Sequence, residues 1–245
     1  METGADLVCD EVGKTYPSGF TLGPLTLEIG PGVTCLVGAN GAGKSTFFRM
    51  AANVDRPSTG RIWLRAHTDN HALGYLPQEP DFPEQATAFD HLTYVAWRME
   101  IPRMGRRRAV DDALSAVGLD GQGRTKIRRL SGGMRRRLGI AEAIVHNPAL
   151  VLLDEPTVGL DPLQRAKLRA TIGDVSSERV VIVSTHLVED VRGLAERVIV
   201  LNDGRIVYDG NVATLEAQDA ADTPADTPGD TPLERALAAL MMESP

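Results

Sequence analysis

Apolar and polar positions alternate in short bursts over the first third of the chain and group into longer, amphipathic runs in the middle. Residues 7–12, 20–29 and 33–37 are rich in β-branched and aliphatic side chains between Gly and Pro, and they predict three strands, with Gly23-Pro24 interrupting the second. A Gly-dense turn over residues 38–43 leads into a helical run to about Asn53. After the turn signal Pro57-Ser58-Thr59-Gly60, residues 61–64 predict another strand. Residues 86–146 have a mostly helical pattern. Beyond them strands (150–153, 179–184, 198–201, 205–208) alternate with helices starting at Pro162 and Leu187. Alternation of this kind predicts a mainly parallel sheet wrapped by helices, with 86–146 as a helical insertion.

The pattern changes character at residue 219. Ala221-Asp222-Thr223-Pro224, Ala225-Asp226-Thr227-Pro228 and Gly229-Asp230-Thr231-Pro232 are tandem copies of one four-residue unit, and Pro at every fourth position predicts an extended, solvated linker over 219–232. Leu233, Leu237, Leu240 and Met241 then share one face of a short amphipathic helix over 233–245. That helix either frays or docks, on this domain, a second copy or another subunit.

Composition narrows the class. With 245 residues, 42% hydrophobic and 24% charged, the chain is globular over most of its length, which excludes collagen-like and wholly disordered forms. No stretch approaches the ~20 apolar residues of a membrane span. The acidic start of the chain lacks an apolar signal core, so no secretory leader is expected. Cys9 and Cys35 lie in apolar, β-like segments without metal-ligand spacing and read as buried thiols of a reducing compartment. The net charge of -7 argues at first against polyanion binding, but residues 211–245 hold seven acids and one base. That segment carries -6, leaving -1 for residues 1–210, so the acidity belongs to the tail. Only four of the 26 basic residues are lysines, and one of them stands in the glycine-rich turn.

That turn carries the first chemistry. Gly38-Ala39-Asn40-Gly41-Ala42-Gly43-Lys44-Ser45 fits G-x-x-x-x-G-K-[ST] between a strand and a helix. Glycines let backbone N–H groups converge on phosphate oxygens, the helix N-terminus adds partial positive charge, Lys44 supplies a mobile cation and the Ser45 hydroxyl suits Mg²⁺. Thr46 follows within the same nucleotide cradle. The apolar run 149–153 ends in Asp154 and Glu155. A carboxylate at a strand tip beside a phosphate loop can hold Mg²⁺, the role assigned to Asp154, while Glu155 can orient and deprotonate the attacking water.

Leu130-Ser131-Gly132-Gly133-Met134, about 20 residues before the acids, resembles the signature motif of ATP-binding-cassette (ABC) ATPases. Tyr16, Gln78 in Tyr75-Leu76-Pro77-Gln78, Gly159-Leu160-Asp161-Pro162 and His186 in Ser184-Thr185-His186 match that family in order, so the resemblance covers residues 7–210. It implies an α/β P-loop fold: a mainly parallel core sheet, an antiparallel β layer and a helical subdomain at about 80–147, all within a nucleotide-binding domain over 1–218. Tyr16 would stack on adenine. Gln78 would contact Mg²⁺ and the attacking water where the helical insertion hinges, and His186 would bond the γ-phosphate. Ser131, Gly132 and Gly133 would reach the ATP of a facing subunit, with Asp161 at the shared interface, so that two cassettes sandwich two ATP molecules head to tail. Met134 departs from the usual Gln, Ala39 from a frequent Pro, and the stretch 65–73 is short for the family.

The same resemblance implies a detached ATPase subunit, peripheral on the cytoplasmic face of the membrane, that powers a separate transmembrane permease. It also implies a second cassette, in a head-to-tail homodimer. Residues 74–78 and 130–140 are most similar to bacterial ABC-2-type drug and antibiotic exporter ATPases. A non-transport ABC ATPase, regulatory or associated with DNA or ribosomes, is the alternative. Arginine clusters at 106–108 and 135–137 lack interleaved aromatics and flank helices that carry acids, so they read as a solvated or partner-facing surface rather than a nucleic-acid contact.

Overall fold

A computed structural model describes residues 6–65, 72–176, 179–222 and 228–242. Strands β1 (Asp6–Thr15), β2 (Thr21–Ile29) and β4 (Thr59–Arg65) form an antiparallel sheet in the order β2-β1-β4. The second sheet runs β5-β6-β7-β3-β8-β9, comprising β3 (Gly32–Val37), β5 (Leu73–Leu76), β6 (Leu150–Asp154), β7 (Val180–Thr185), β8 (Arg197–Asn202) and β9 (Arg205–Gly210). Its first five strands are parallel and only β9 is antiparallel, as the strand–helix alternation requires.

Both faces of this sheet are buried. Val33, Cys35, Val37, Val151, Leu153, Val181 and Val183 point to a helical layer, while Leu36, Leu150, Leu152 and Ile182 point to the antiparallel sheet and to α1 (Lys44–Ala51). Two-sided burial explains why β6 and β7 read as unbroken apolar runs. The insertion holds α2 (Ala88–Arg98), α3 (Arg103–Ala116), a 3₁₀ turn at Ile127–Arg129 and α4 (Gly132–Ile144), followed outside it by α5 (Pro162–Val175) and α6 (Val188–Leu194).

Three local expectations differ. β2 runs unbroken through Gly23-Pro24, because register shifts between Cys9 and Lys14 on the facing strand absorb the irregularity. β5 has no counterpart in the hydrophobic pattern; four residues that include Gly74 are too few to show a period. The expected linker over 219–232 is not extended throughout. Helix α7 (Val212–Asp222), rich in alanine, runs into the first repeat, and the third repeat caps α8 (Pro232–Met242). The Thr231 Oγ1 accepts from Glu234 N at 3.3 Å and the Glu234 carboxylate accepts from Thr231 N at 2.9 Å, a reciprocal capping box with Pro232 at the first helical position. Residues 223–227 of the repeat lie outside the described residues. α8 docks on its own domain: Leu233 and Leu237 are buried with Tyr208 and Leu215, and Asn202 donates to the Leu240 carbonyl at 3.0 Å.

Candidate functional site

The parallel order decides what meets. Strands β5, β6, β7 and β3 are adjacent, and at their C-terminal ends stand Gln78, Asp154 with Glu155, His186, and the glycine-rich loop. Residues far apart in sequence therefore converge on one sheet edge, where open α/β sheets bind ligands.

Gly43 adopts φ 108° and forms the N-cap of α1, a left-handed turn that a side chain would strain and where a Cβ would lie 2.7 Å from Leu22 Cδ1. No side chain caps α1 and its first turn holds no acid, so its leading N–H groups have no side-chain acceptor at the N-cap. Lys44 is 6% exposed, and its ammonium donates to the carbonyls of Gly38 (2.7 Å) and Ala39 (3.1 Å). Burial pushes its pKa down, while Glu155 and Asp154 draw it back up. Asn40 and Gly41 are exposed at the tip; Ala42 is buried, and its carbonyl accepts from Gly204 N at 3.1 Å, bracing the loop on the β8–β9 turn. Ser45 is exposed and Thr46 partly so.

Asp154 is 3% exposed and accepts a hydrogen bond from Ser184 Oγ on β7. Burial raises its pKa above the ordinary carboxylate range and Glu155 adds to this, against the pull of Ser184, Lys44 and Ser45. Glu155 turns the chain at φ 47°, a strained conformation for a side chain of its size, held by its N–H bond to Ser184 Oγ at 2.8 Å. Its carboxylate is bracketed: Gln78 Nε2 donates to Oε2 at 3.1 Å, and His186 Nδ1 meets Oε1 at 3.3 Å. The four strand ends thus deliver one buried acid, one bracketed acid, an amide, an imidazole and an ammonium.

These residues fit Mg²⁺ and a phosphate ligand. Two adjacent carboxylates lie in the field of one buried ammonium, and hard oxygen donors of Asp154 and Ser45 suit a cation that completes its shell from substrate phosphate and water. Among the described residues no group of three His, Cys, Asp or Glu could hold a metal, and such a site does not require one.

The other sequence-derived residues lie around this edge. Tyr16 follows β1 with its ring 6.4 Å from that of Phe20, whose Cζ would touch a Cβ on Gly43, so one aromatic ring separates Tyr16 from the loop. Lys14 Nζ lies 5.7 Å from the centre of the Tyr16 ring. Ser131 is the N-cap of α4, accepting from Met134 N at 3.3 Å; Gly132 is exposed and Gly133 is buried against Gln164 of α5. Asp161 is exposed and caps α5, accepting from Gln164 N at 2.9 Å.

Two features escape sequence reasoning. Asp190 of α6, fully buried, accepts from Thr157 Oγ1 and Thr185 Oγ1 and pairs with Arg169 at 3.2 Å. It thereby ties the segment after Glu155 to the residue before His186. The cluster 135–137 is not a solvated face: Arg135 pairs with Glu84 (3.0 Å), Arg136 donates to the Gln78 carbonyl (2.6 Å) and Arg137 to the carbonyls of Val117 and Gly118. Burial lowers the Arg136 pKa, and Glu155, Asp154 and Glu79 act against that, so its guanidinium lies in the field of the site's acids. The cysteines are buried, and desolvation pushes the Cys9 thiol up to about 12.

A sequence profile described as ABC transporter matches residues 22–158. The chain is 35% identical to the phosphonates import ATP-binding protein PhnC 2 of Synechococcus sp. (strain JA-2-3B'a(2-13)), over 82% of this chain and 83% of that one. It is 32% identical to the daunorubicin resistance ATP-binding protein DrrA3 of Streptomyces coeruleorubidus, over 88% and 71% respectively. The solved structure of CbiO1 from Clostridium perfringens, part of the ABC transporter complex CbiONQ, superposes with a TM-score of 0.78 at 29% identity, covering 86% of this chain and 90% of that one. Some relatives are longer, and of one the chain spans 63%. Among the described residues no helix is long and apolar enough to cross a membrane. The strand-edge site, the profile and these relatives agree: the chain belongs to the ABC transporter family as one of its ATP-binding proteins, whose ligand is ATP with Mg²⁺.

Proposed function

We propose that this chain hydrolyses ATP as the detached subunit of an ABC exporter, working as a head-to-tail homodimer on the cytoplasmic face of a separate membrane permease. The bracketing of Glu155 by Gln78 and His186 is the observation that carries the chemistry. Lys44 and the leading N–H groups of α1 would hold the phosphates, with Tyr16 against the base. Asp154 and Ser45 would hold Mg²⁺ together with Gln78, and the metal would neutralise charge on the phosphate oxygens. Glu155 would take a proton from the attacking water as its oxygen bonds to the γ-phosphorus and the bond to ADP breaks; a positioned base contributes ~10²–10⁴-fold. The Gln78 amide would orient that water and His186 would bond the γ-phosphate.

Ser131, Gly132 and Gly133, at the start of α4, suit the γ-phosphate of a facing copy, with Asp161 between the two. Likeness to DrrA3 and the resemblance of residues 74–78 and 130–140 to ABC-2-type exporter ATPases support export, while PhnC 2 bears the word import in its name. Membership of CbiO1 in a larger transporter complex supports a separate permease.

Turnover of the purified protein tests the chemistry. Glu155→Gln is expected to lower kcat at least ~10²-fold while retaining ATP and accumulating as a dimer in light scattering; unchanged turnover would remove Glu155 as the base. Lys44→Ala is expected to lose ATP binding. Vesicles containing the co-purified permease, supplied with ATP on the cassette side, should move solute away from that side.

A further inference from the structure

The polar chain through the site extends beyond Gln78 into the helix that carries the Ser131-Gly132-Gly133 segment. Gln78 lies in an exposed, irregular segment between Pro77 and Pro80, so two of the N–H groups that could lock its backbone are missing. Its carbonyl is taken instead by Arg136 from α4, at 2.6 Å, and its amide donates to Glu155 at 3.1 Å. The two neighbouring arginines point elsewhere, Arg135 to Glu84 and Arg137 to the end of α3. α4 is also pressed against β5: a Cβ on Gly74 would stand 1.9 Å from the Ala143 carbonyl, so the helix and the strand that launches Gln78 are in backbone contact.

We propose that Arg136 is a positioning residue for hydrolysis: by holding the Gln78 carbonyl it fixes the amide against Glu155 and links the start of α4 to the base through two hydrogen bonds. Arg136 stands five residues after Ser131, about 7.5 Å along one helix. A shift of α4 when its N-terminal end meets a facing nucleotide would move the Gln78 loop with it. The guanidinium suits this role because its several donors lie in a fixed plane and an arginine stays charged in proteins. The inference rests on the ATPase reading above.

Four variants test it: Arg136→Ala, Arg136→Lys, Gln78→Ala and the double Arg136→Ala/Gln78→Ala, each measured for kcat, KM for ATP, binding of a non-hydrolysable fluorescent ATP analogue and thermal midpoint. Arg136→Ala is expected to lose about tenfold in kcat, with analogue affinity within about twofold and an unchanged midpoint. Arg136→Lys, which keeps one donor and the charge, should recover at least about half of the loss. The double variant should be no more than about twofold slower than Gln78→Ala alone, since both losses run through one group. Turnover of Arg136→Ala within about twofold of wild type, or losses that multiply in the double variant, overturns the inference while leaving the ATPase reading intact. A wild-type protein that binds the analogue but does not hydrolyse ATP overturns that reading and the inference with it.

Discussion

Two arginine triplets, 106–108 on α3 and 135–137 on α4, look alike in sequence and are used in opposite ways. On α3, Arg107 and Arg108 are 85% and 88% exposed and make long i,i+4 pairs with Asp111 and Asp112 at 3.7 and 3.6 Å; only Arg106 turns back, to the Ile101 carbonyl. On α4 all three side chains reach different elements of the domain. The difference comes from the surroundings of the helix. α3 presents one face to water, whereas α4 is wedged against β5, the end of α3 and the loop that carries Gln78, so two of its arginines meet backbone carbonyls and the third a carboxylate of the same domain. A charge run thus reports solvation only when its helix has an open side.

The contrast can be pressed from its inward extreme to its outward one. Asp190 is the fully committed charge, and Asp190→Ala, which strands Arg169 and two threonines, should destabilise the fold by about 3–5 kcal/mol in chemical denaturation. A loss below about 1 kcal/mol would mean that water replaces the carboxylate at no penalty. Arg137→Ala, which frees the carbonyls at the end of α3, should cost about 1–2 kcal/mol and lower the thermal midpoint by a few degrees. Arg107→Ala should leave the midpoint within about 2 °C at any salt concentration, as exposed pairs contribute little. Equal effects of the Arg107 and Arg137 changes would erase the distinction between the two helices.

The same contrast marks what the sequence could disclose. The phosphate loop was readable because its chemistry is contiguous, and Asp154 and Glu155 because an apolar strand ends on them. Gln78 and His186 are single polar residues after short strands, and only family likeness drew attention to them. Asp190 sits beside Glu189 in the first turn of α6, where acids are ordinary partners of the helix dipole, so its burial left no trace in the pattern. Arg136 was hidden by its neighbours. In the tail, the Asp-Thr-Pro period masked the Thr231–Glu234 capping box, a helix start signal that the repeat itself spells out.

The strand that launches the phosphate loop sits between β7 and β8, its register set by Gly32 opposite Val180 and Thr34 opposite Arg197. Those partners lie about 150 residues further along the chain, so during synthesis β3 stays without either lateral neighbour until β7 and β8 have followed it. Closing such long loops is slow, and it leaves an apolar strand exposed meanwhile. The nucleotide cradle therefore acquires its shape long after its own residues are made, once β7 and β8 have closed on either side of β3.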